Sequence, residues 1–370
     1  MNIAEITTYK EGGVYTHVVD LVKGMNVKSL VVTGNTKKSG YQTEEGVTFF
    51  HIPAIFSPWM IYFINPAGSY RKVIHVLKEN HINLVHFHNP LFTFSNKIIK
   101  KHDYPLVMTA HYVIDLKGNR AIAAIYKAVI KLTTQWIAKN VDRIICVNHD
   151  YLQIFTSWGV DRKKLVFIPN GVNTDRFCPG ESSIKVQYND QKLIIFFGRL
   201  HYQKNVDLLI QSFSHLKSKN VKLIIIGDGP DSDRLRKMSQ GNKDIIMTGR
   251  VSDDMLLEYL RAADLMVLPS RGETASLTMM EAMACGIPVI ASNVGNAKEM
   301  LGEGRGVLFE KYTEEELAEK CDMILEDSKH AKEIGKKAMI FVHKYYSLKN
   351  TCQKTEALYN EIMTQQEGSS

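Results

Sequence analysis

The stretch Glu273-Thr-Ala-Ser-Leu-Thr-Met-Met-Glu281-Ala-Met-Ala-Cys-Gly286-Ile-Pro288 decides how this chain is read. It sets two carboxylates eight residues apart, Glu273 before an apolar helical run and Glu281 inside it. Thr274 and Ser276 are residue types that cap helices. A cap there would turn free backbone N–H groups and the positive end of the helix dipole toward the loop holding Glu273. Such a place suits a ligand with phosphates to neutralise and hydroxyls to orient. An amphipathic helix carrying two solvated acids is the plain alternative.

Outward from that stretch, short β-branched runs alternate with amphipathic helical segments. Strands are expected near 2–7, 28–33, 47–52, 83–88, 105–109, 143–147 and 165–168, and again near 192–197, 221–226, 244–247, 264–268, 287–291 and 305–308. Runs such as Leu193-Ile-Ile-Phe-Phe197 are apolar on both faces, as in a parallel sheet covered by helices. The alternation, made twice, predicts two doubly wound Rossmann-like α/β domains, 1–175 and 190–342, facing each other across a cleft. Their boundary is expected in the turn-rich, aperiodic segment 170–191. A helical tail spans about 328–363, and its last helix, about 343–365, is expected to pack back on the first domain.

The chain's 370 residues suffice for two cores, and 45% hydrophobic with 23% charged residues is a globular composition. Five scattered cysteines without a C-x-x-C pair predict a reduced, cytoplasmic protein with no structural metal. The first residues carry no basic and long apolar pattern of a secretory signal, and no apolar window is long enough to span a membrane. Charge is uneven: 20 Lys and Arg stand against 11 Asp and Glu through residue 170, and 26 against 28 beyond it. A basic first half calls for an anionic partner, phosphate groups or an acidic membrane face. Nucleic acid is not expected, because no binding signature accompanies the charge.

Further motifs stand at predicted strand ends. Gly12-Gly13 precedes a helix, where paired glycines let backbone approach phosphate or simply make a tight turn. Gly198-Arg199-Leu200-His201-Tyr202-Gln203-Lys204-Asn205 supplies a forked and a point cation at one strand end. Gly227-Asp228-Gly229-Pro230 and Gly249-Arg250-Val251 follow two more strands. Asp231-Ser232-Asp233 has the form of a metal-binding D-x-D, but its place after Gly229-Pro230 fits a first helical turn instead. His86, His88 and His111 also fall at strand ends, where a histidine is either structural or functional.

Taken in order, these motifs resemble those of the family 4 retaining glycosyltransferases, nucleotide-sugar-dependent enzymes of GT-B fold. The resemblance runs from Gly12-Gly13 to Pro288 and includes Pro169-Asn170-Gly171-Val172-Asn173 with Phe177, a hinge segment of that family. It implies that Glu273 holds the donor sugar and Glu281 the ribose, and that Arg199 and Lys204 neutralise the diphosphate leaving group. It implies that Gly12 and Gly13 contact that diphosphate, and that His111, in the family's Thr-x-His, lies beside sugar and diphosphate. Gly227 and Val251 would lie near base and ribose, and Thr274, Ala275, Ser276 and Leu277 would line the donor. One departure stands out: the family's Gly-Phe-Gly or Ser-Phe-Gly after the first Glu is Thr274-Ala275-Ser276 here.

The implied reaction moves a hexosyl-type sugar, with retention, from a nucleoside-diphosphate sugar to a glycan or lipid-linked acceptor, without metal or cofactor. A nucleotide-sugar epimerase of similar architecture is one rival, against which the Glu273/Glu281 pair argues. A silent nucleotide-sugar-binding subunit is another, although all four key charges are present. Two segments bear on the acceptor. The helix expected over 120–139 is apolar on one face with Lys127, Lys131 and Lys139, and serves either a core or an anionic membrane surface. The proline-broken apolar run 53–66 is either a buried loop or a patch for a greasy acceptor.

Overall fold

The computed structural model describes residues 1–7, 12–35, 39–57, 62–64, 69–89, 95–100, 103–111, 120–188 and 191–368. Of these, the residues up to Gly171 and from Leu348 onward form one compact unit, and those of Val172–Ser347 the other.

The first unit is built on β1 (Asn2–Thr7), β2 (Lys28–Asn35), β3 (Gly40–Glu44) and β4 (Val47–Pro53), with a separate hairpin of β5 (Ile55–Ser57) and β6 (Tyr62–Ile64). It continues through β7 (Leu84–His88), β8 (Leu106–Ala110), β9 (Arg143–Cys146) and β10 (Leu165–Phe167). The sheet order is β10-β9-β8-β7-β1-β2-β4-β3, parallel throughout except for β3 against β4. β7 and β8 are buried along their whole length, which is why their sequences read as unbroken apolar or neutral runs.

Two features correct the sequence reading. The β3–β4 hairpin was not expected; Glu45 (φ 46°) and Gly46 (φ 80°) are both left-handed, as a two-residue type I′ turn demands. Glu-Gly is a weak signal for that turn, and β3 is a half-exposed edge strand of polar residues. Within 53–66, residues 55–57 and 62–64 form the backbone hairpin of β5 and β6, where the sequence reading allowed a loop; residues 58–61 and 65–66 lie outside the described residues.

The second unit contains β11 (Lys192–Phe197), β12 (Val221–Ile226), β13 (Ile245–Gly249), β14 (Leu265–Leu268), β15 (Val289–Ser292) and β16 (Val307–Phe309). Its order, β13-β12-β11-β14-β15-β16, is wholly parallel and follows the doubly wound pattern 3-2-1-4-5-6. The segment read as aperiodic holds a short helix, Ser183–Gln187, capped by the Ser182 hydroxyl, which accepts from Ile184 N at 3.2 Å. Five residues are too few to show a period.

The terminal helix Leu348–Glu367 belongs to the first unit. Cys352, Leu358, Tyr359 and Ile362 pack there against Ile3, Leu21, Leu84 and Ile145. Where the chain leaves this unit, a Cβ on Gly171 would lie 2.6 Å from Leu348 Cα, so the close approach requires glycine. Among the described residues, no helix is long and apolar enough to cross a membrane.

Candidate active site

Open α/β sheets bind ligands beyond the carboxyl ends of their strands, at the point where strand order reverses. In the second unit that point lies between β11 and β14. β11 runs out into Gly198 and the half-buried Arg199, and a 3-10 turn, Tyr202–Lys204, follows. β14 runs out into Ser270-Arg271-Gly272-Glu273. The two loops meet: Lys204 Nζ lies 2.5 Å from Glu273 Oε1, and the Ser270 hydroxyl donates to the same oxygen at 2.8 Å. With side-chain exposures of 23% and 15%, the charges attract more strongly than a surface pair in open water.

Neighbouring bonds fix this arrangement. Arg271 N donates to Gln203 O at 2.7 Å, and its guanidinium donates to Asn205 Oδ1 at 3.0 and 2.6 Å. The Ser270 carbonyl accepts from Ser292 Oγ at 2.5 Å and from the Tyr312 hydroxyl at 2.9 Å. Both loops thus carry their charges on a scaffold of paired polar groups.

The adjoining strand ends close against them. Gly198 N donates to Ile226 O at 3.0 Å, and Gly227 N to Gly249 O at 2.9 Å. A Cβ on Gly227 (φ 132°) would stand 1.9 Å from Gly198 O, so only glycine permits this approach. Val251, half-buried, follows Gly249. Ser276, rather than Thr274, caps the helix Leu277–Ala284, and its backbone N–H donates to Asn296 Oδ1 at 3.4 Å. Thr274, Ser276 and Leu277 are buried and Ala275 partly so; Glu281 is half-buried in the second turn. Asp231 and Asp233 stand at the cap and first turn of the helix Ser232–Ser239, and Asp231 pairs with Arg234 at 3.3 Å.

In the first unit, strand order reverses between β1 and β7. Gly12 (φ 86°, ψ −177°) precedes the helix Gly13–Gly24 without any side-chain cap, so the opening amides are not engaged by a capping side chain. Lys10 and Glu11 lie outside the described residues. His111, just past β8, is buried, and its backbone N–H donates to Asn89 Oδ1 at 2.6 Å. It belongs to a cluster. His88 Nδ1 lies 3.2 Å from His111 Nε2, and His88 Nε2 lies 2.9 Å from Glu5 Oε2. His17 approaches His111 edge-on, with ring centroids 5.2 Å apart. Burial, aided by neighbouring imidazoles, lowers the His17 pKa to about 3 and that of His88 to about 4.

Sequence reasoning reached Glu273, Lys204 and the strand-end histidines but missed Glu5, His17, Tyr359, Ser270 and the Arg271–Asn205 clasp. Glu5 carried a signal: a carboxylate inside an apolar strand is a buried charge that must have partners. Tyr359 carried none, because helix periodicity does not reveal which strand a tyrosine will meet.

Residues 11–176 match the family model described as Glycosyltransferase Family 4, and residues 181–340 that of Glycosyl transferases group 1. An uncharacterized glycosyltransferase of Methanocaldococcus jannaschii is 26% identical over 383 residues, covering 95% of both chains. The solved structure of sucrose-phosphate synthase from Thermosynechococcus elongatus superposes with a TM-score of 0.83 at 19% identity, covering 98% of this chain and 99% of that one. The Anabaena protein HepE in complex with UDP-glucose superposes with a TM-score of 0.77 at 17% identity, covering 97% of this chain and 100% of that one.

Proposed function

The chain belongs to the family 4 glycosyltransferases, with their GT-B fold, and we propose that it transfers a hexosyl-type sugar from a nucleoside-diphosphate sugar with retention of configuration. The observation that carries this reading is the Lys204–Glu273 pair at the strand-order reversal of the second unit. A cation and a carboxylate held side by side match a donor whose diphosphate adjoins sugar hydroxyls. The UDP-glucose bound by HepE is a donor of this class.

The difficult step is departure of the diphosphate from an anomeric carbon that becomes oxocarbenium-like. Negative charge grows on the leaving oxygens, and Arg199 and Lys204 stabilise it there. Both hydrogen bonds to Glu273 fall on Oε1, so its second oxygen serves a sugar hydroxyl and orients the ring for attack from the departure face. Glu281 holds the ribose, and the amides of 274–277 with Gly227 and Val251 line the donor. In the first unit, the Gly12 and Gly13 amides bind phosphate oxygens and His111 contacts the sugar. The departing phosphate takes the acceptor's proton. Fixed cations and amides do the electrostatic work, so no metal is required.

The acceptor is a glycan or lipid-linked glycan reached at an anionic membrane face. Support comes from the helix Arg120–Ala138, where Ile125 and Leu132 are each 67% exposed beside the exposed Lys127 and Lys131. Apolar side chains bare to water on either side of a lysine pair match a headgroup boundary. The test of the reaction is a screen of nucleoside-diphosphate sugars for thermal stabilisation, followed by NMR of the product made from the stabilising donor. A product with the donor's anomeric configuration is expected; inversion, or free nucleotide formed without any acceptor, overturns the reading.

A further inference from the structure

The imidazoles at the carboxyl ends of β7 and β8 are ordered by a single carboxylate. Glu5 is fully buried. Two hydrogen bonds converge on it, from His88 Nε2 at 2.9 Å on Oε2 and from the Tyr359 hydroxyl at 2.9 Å on Oε1, while His86 Nδ1, 3.0 Å from Oε2, donates to the Tyr359 oxygen at 2.6 Å. Burial pushes this carboxyl group up, but its electrostatic and hydrogen-bond interactions with His86 and His88 prevail and hold it well below the usual carboxylate range. Glu5 is therefore ionised and only accepts.

From that follows a direction. His88 must place a proton on Nε2 to meet Glu5, and burial keeps this imidazole neutral, so Nδ1 carries a lone pair. Nδ1 faces His111 Nε2 at 3.2 Å, and His111 Nε2 must then be the donor. Burial, with His17, His88 and His86 nearby, also holds His111 neutral. A neutral ring protonated on Nε2 is an acceptor at Nδ1. Glu5 itself is steadied by Tyr359 and by His86, whose Nε2 lies 2.7 Å from the Thr109 hydroxyl.

We infer that Glu5 is a positioning residue that sets the polarity of His111 through His88, so that His111 presents a ring acceptor to a sugar hydroxyl and not an N–H to phosphate. The distinction has chemical content: a hydroxyl can donate, whereas diphosphate oxygens only accept. The inference rests on the reading that His111 contacts the sugar. The other use of such a cluster is a transition metal, because His17, His88 and His111 bring one nitrogen each to within 4.8 Å of one another.

Histidine ¹⁵N NMR of the full chain near neutral pH tests this, with each ring assigned by single substitution. Wild-type His88 and His111 should both be Nε2–H tautomers. In Glu5→Gln, the amide can donate to His88 Nε2, so both rings should change to Nδ1–H. With it kcat should fall about tenfold while nucleoside-diphosphate affinity stays within about twofold. Tyr359→Phe removes one donor and should leave both tautomers in place. An Nδ1–H His111 in the wild type overturns the inference even if Glu5→Gln does not fold. So does an unchanged His111 tautomer in a folded Glu5→Gln, or stoichiometric zinc retained by the purified protein and released by His17→Ala. A tautomer change with kcat unaltered overturns the sugar contact of His111 and leaves the donor-site reading of the second unit standing.

Discussion

Lys204 and Glu273 are 69 residues apart in the chain and 2.5 Å apart in the fold, Nζ to Oε1. The ion pair joins the loop after β11 to the loop after β14, and Ser270 and the Arg271–Asn205 bonds keep it in place. Groups held in advance of the reaction need no reorganisation as charge develops, which is where an electrostatic site gains most.

Replacing either cation should therefore reduce turnover far more than stability. Arg199→Ala and Lys204→Ala each remove one stabiliser of the leaving diphosphate, worth about 3 kcal/mol or roughly a hundredfold in kcat. Melting temperatures should move by only a few degrees. Activity above half of wild type in both variants would sink the leaving-group role. EDTA treatment should leave wild-type turnover unchanged; loss restored by a divalent cation would return Asp231 and Asp233 to consideration.

The two carboxylates should separate by assay. Glu273→Gln keeps the shape but loses the charge beside Lys204, so kcat should drop by at least tenfold while nucleoside-diphosphate affinity holds. Glu281→Gln should weaken nucleoside-diphosphate binding, read by calorimetry, by about 1.5 to 3 kcal/mol, the scale of a hydrogen bond to a charged group. Unchanged affinity in Glu281→Gln removes it from the ribose.

Much of this site was legible because its chemistry lies at strand ends, and strand ends are marked by apolar runs stopping at Gly198, Gly227 and Gly249. The parallel, doubly wound character of the sheets followed from the alternation of strand and helix; the order of the strands did not. The clasp of Arg271 on Asn205 and the reach of Tyr359 to Glu5 were not legible, since both depend on side-chain placement between segments distant in sequence. The β3 edge strand escaped for a different reason: half-exposed polar residues give no two-residue period strong enough to read.

Acid should destabilise the first unit before it protonates ordinary carboxylates. His17 and His88 have pKa values near 3 and 4 in the fold, against 6.5 when exposed. Between about pH 4 and 6.5 the unfolded chain binds protons that the folded chain refuses, so stability falls as pH falls through that window. At pH 5 each histidine lowers the unfolding free energy by roughly 2 kcal/mol relative to its value well above 6.5. Glu5, with its depressed pKa, adds a loss only below its unfolded value of 4.5. Urea midpoints at pH 7.5 and 5 measure this, and equal midpoints contradict the burial of neutral imidazoles.

Vesicle co-sedimentation tests the membrane face. Near an anionic surface each lysine contributes about 1 kcal/mol and is screened within a Debye length. Binding should need anionic lipid, weaken with salt, and fall by an order of magnitude or more in the double variant Lys127→Glu, Lys131→Glu. Absence of binding at low salt rejects the contact.

Tyr359, fully buried among residues of the first unit and bonded to Glu5, also orders events at the ribosome. Val172–Ser347 forms a continuous unit and can fold once its last residue emerges. The unit begun first is finished after the other: Glu5 precedes Tyr359 by 354 residues and lacks that donor until the helix Leu348–Glu367 has been made. At synthesis rates of roughly 5–20 residues per second, a carboxylate bound for the core waits many seconds for its tyrosine.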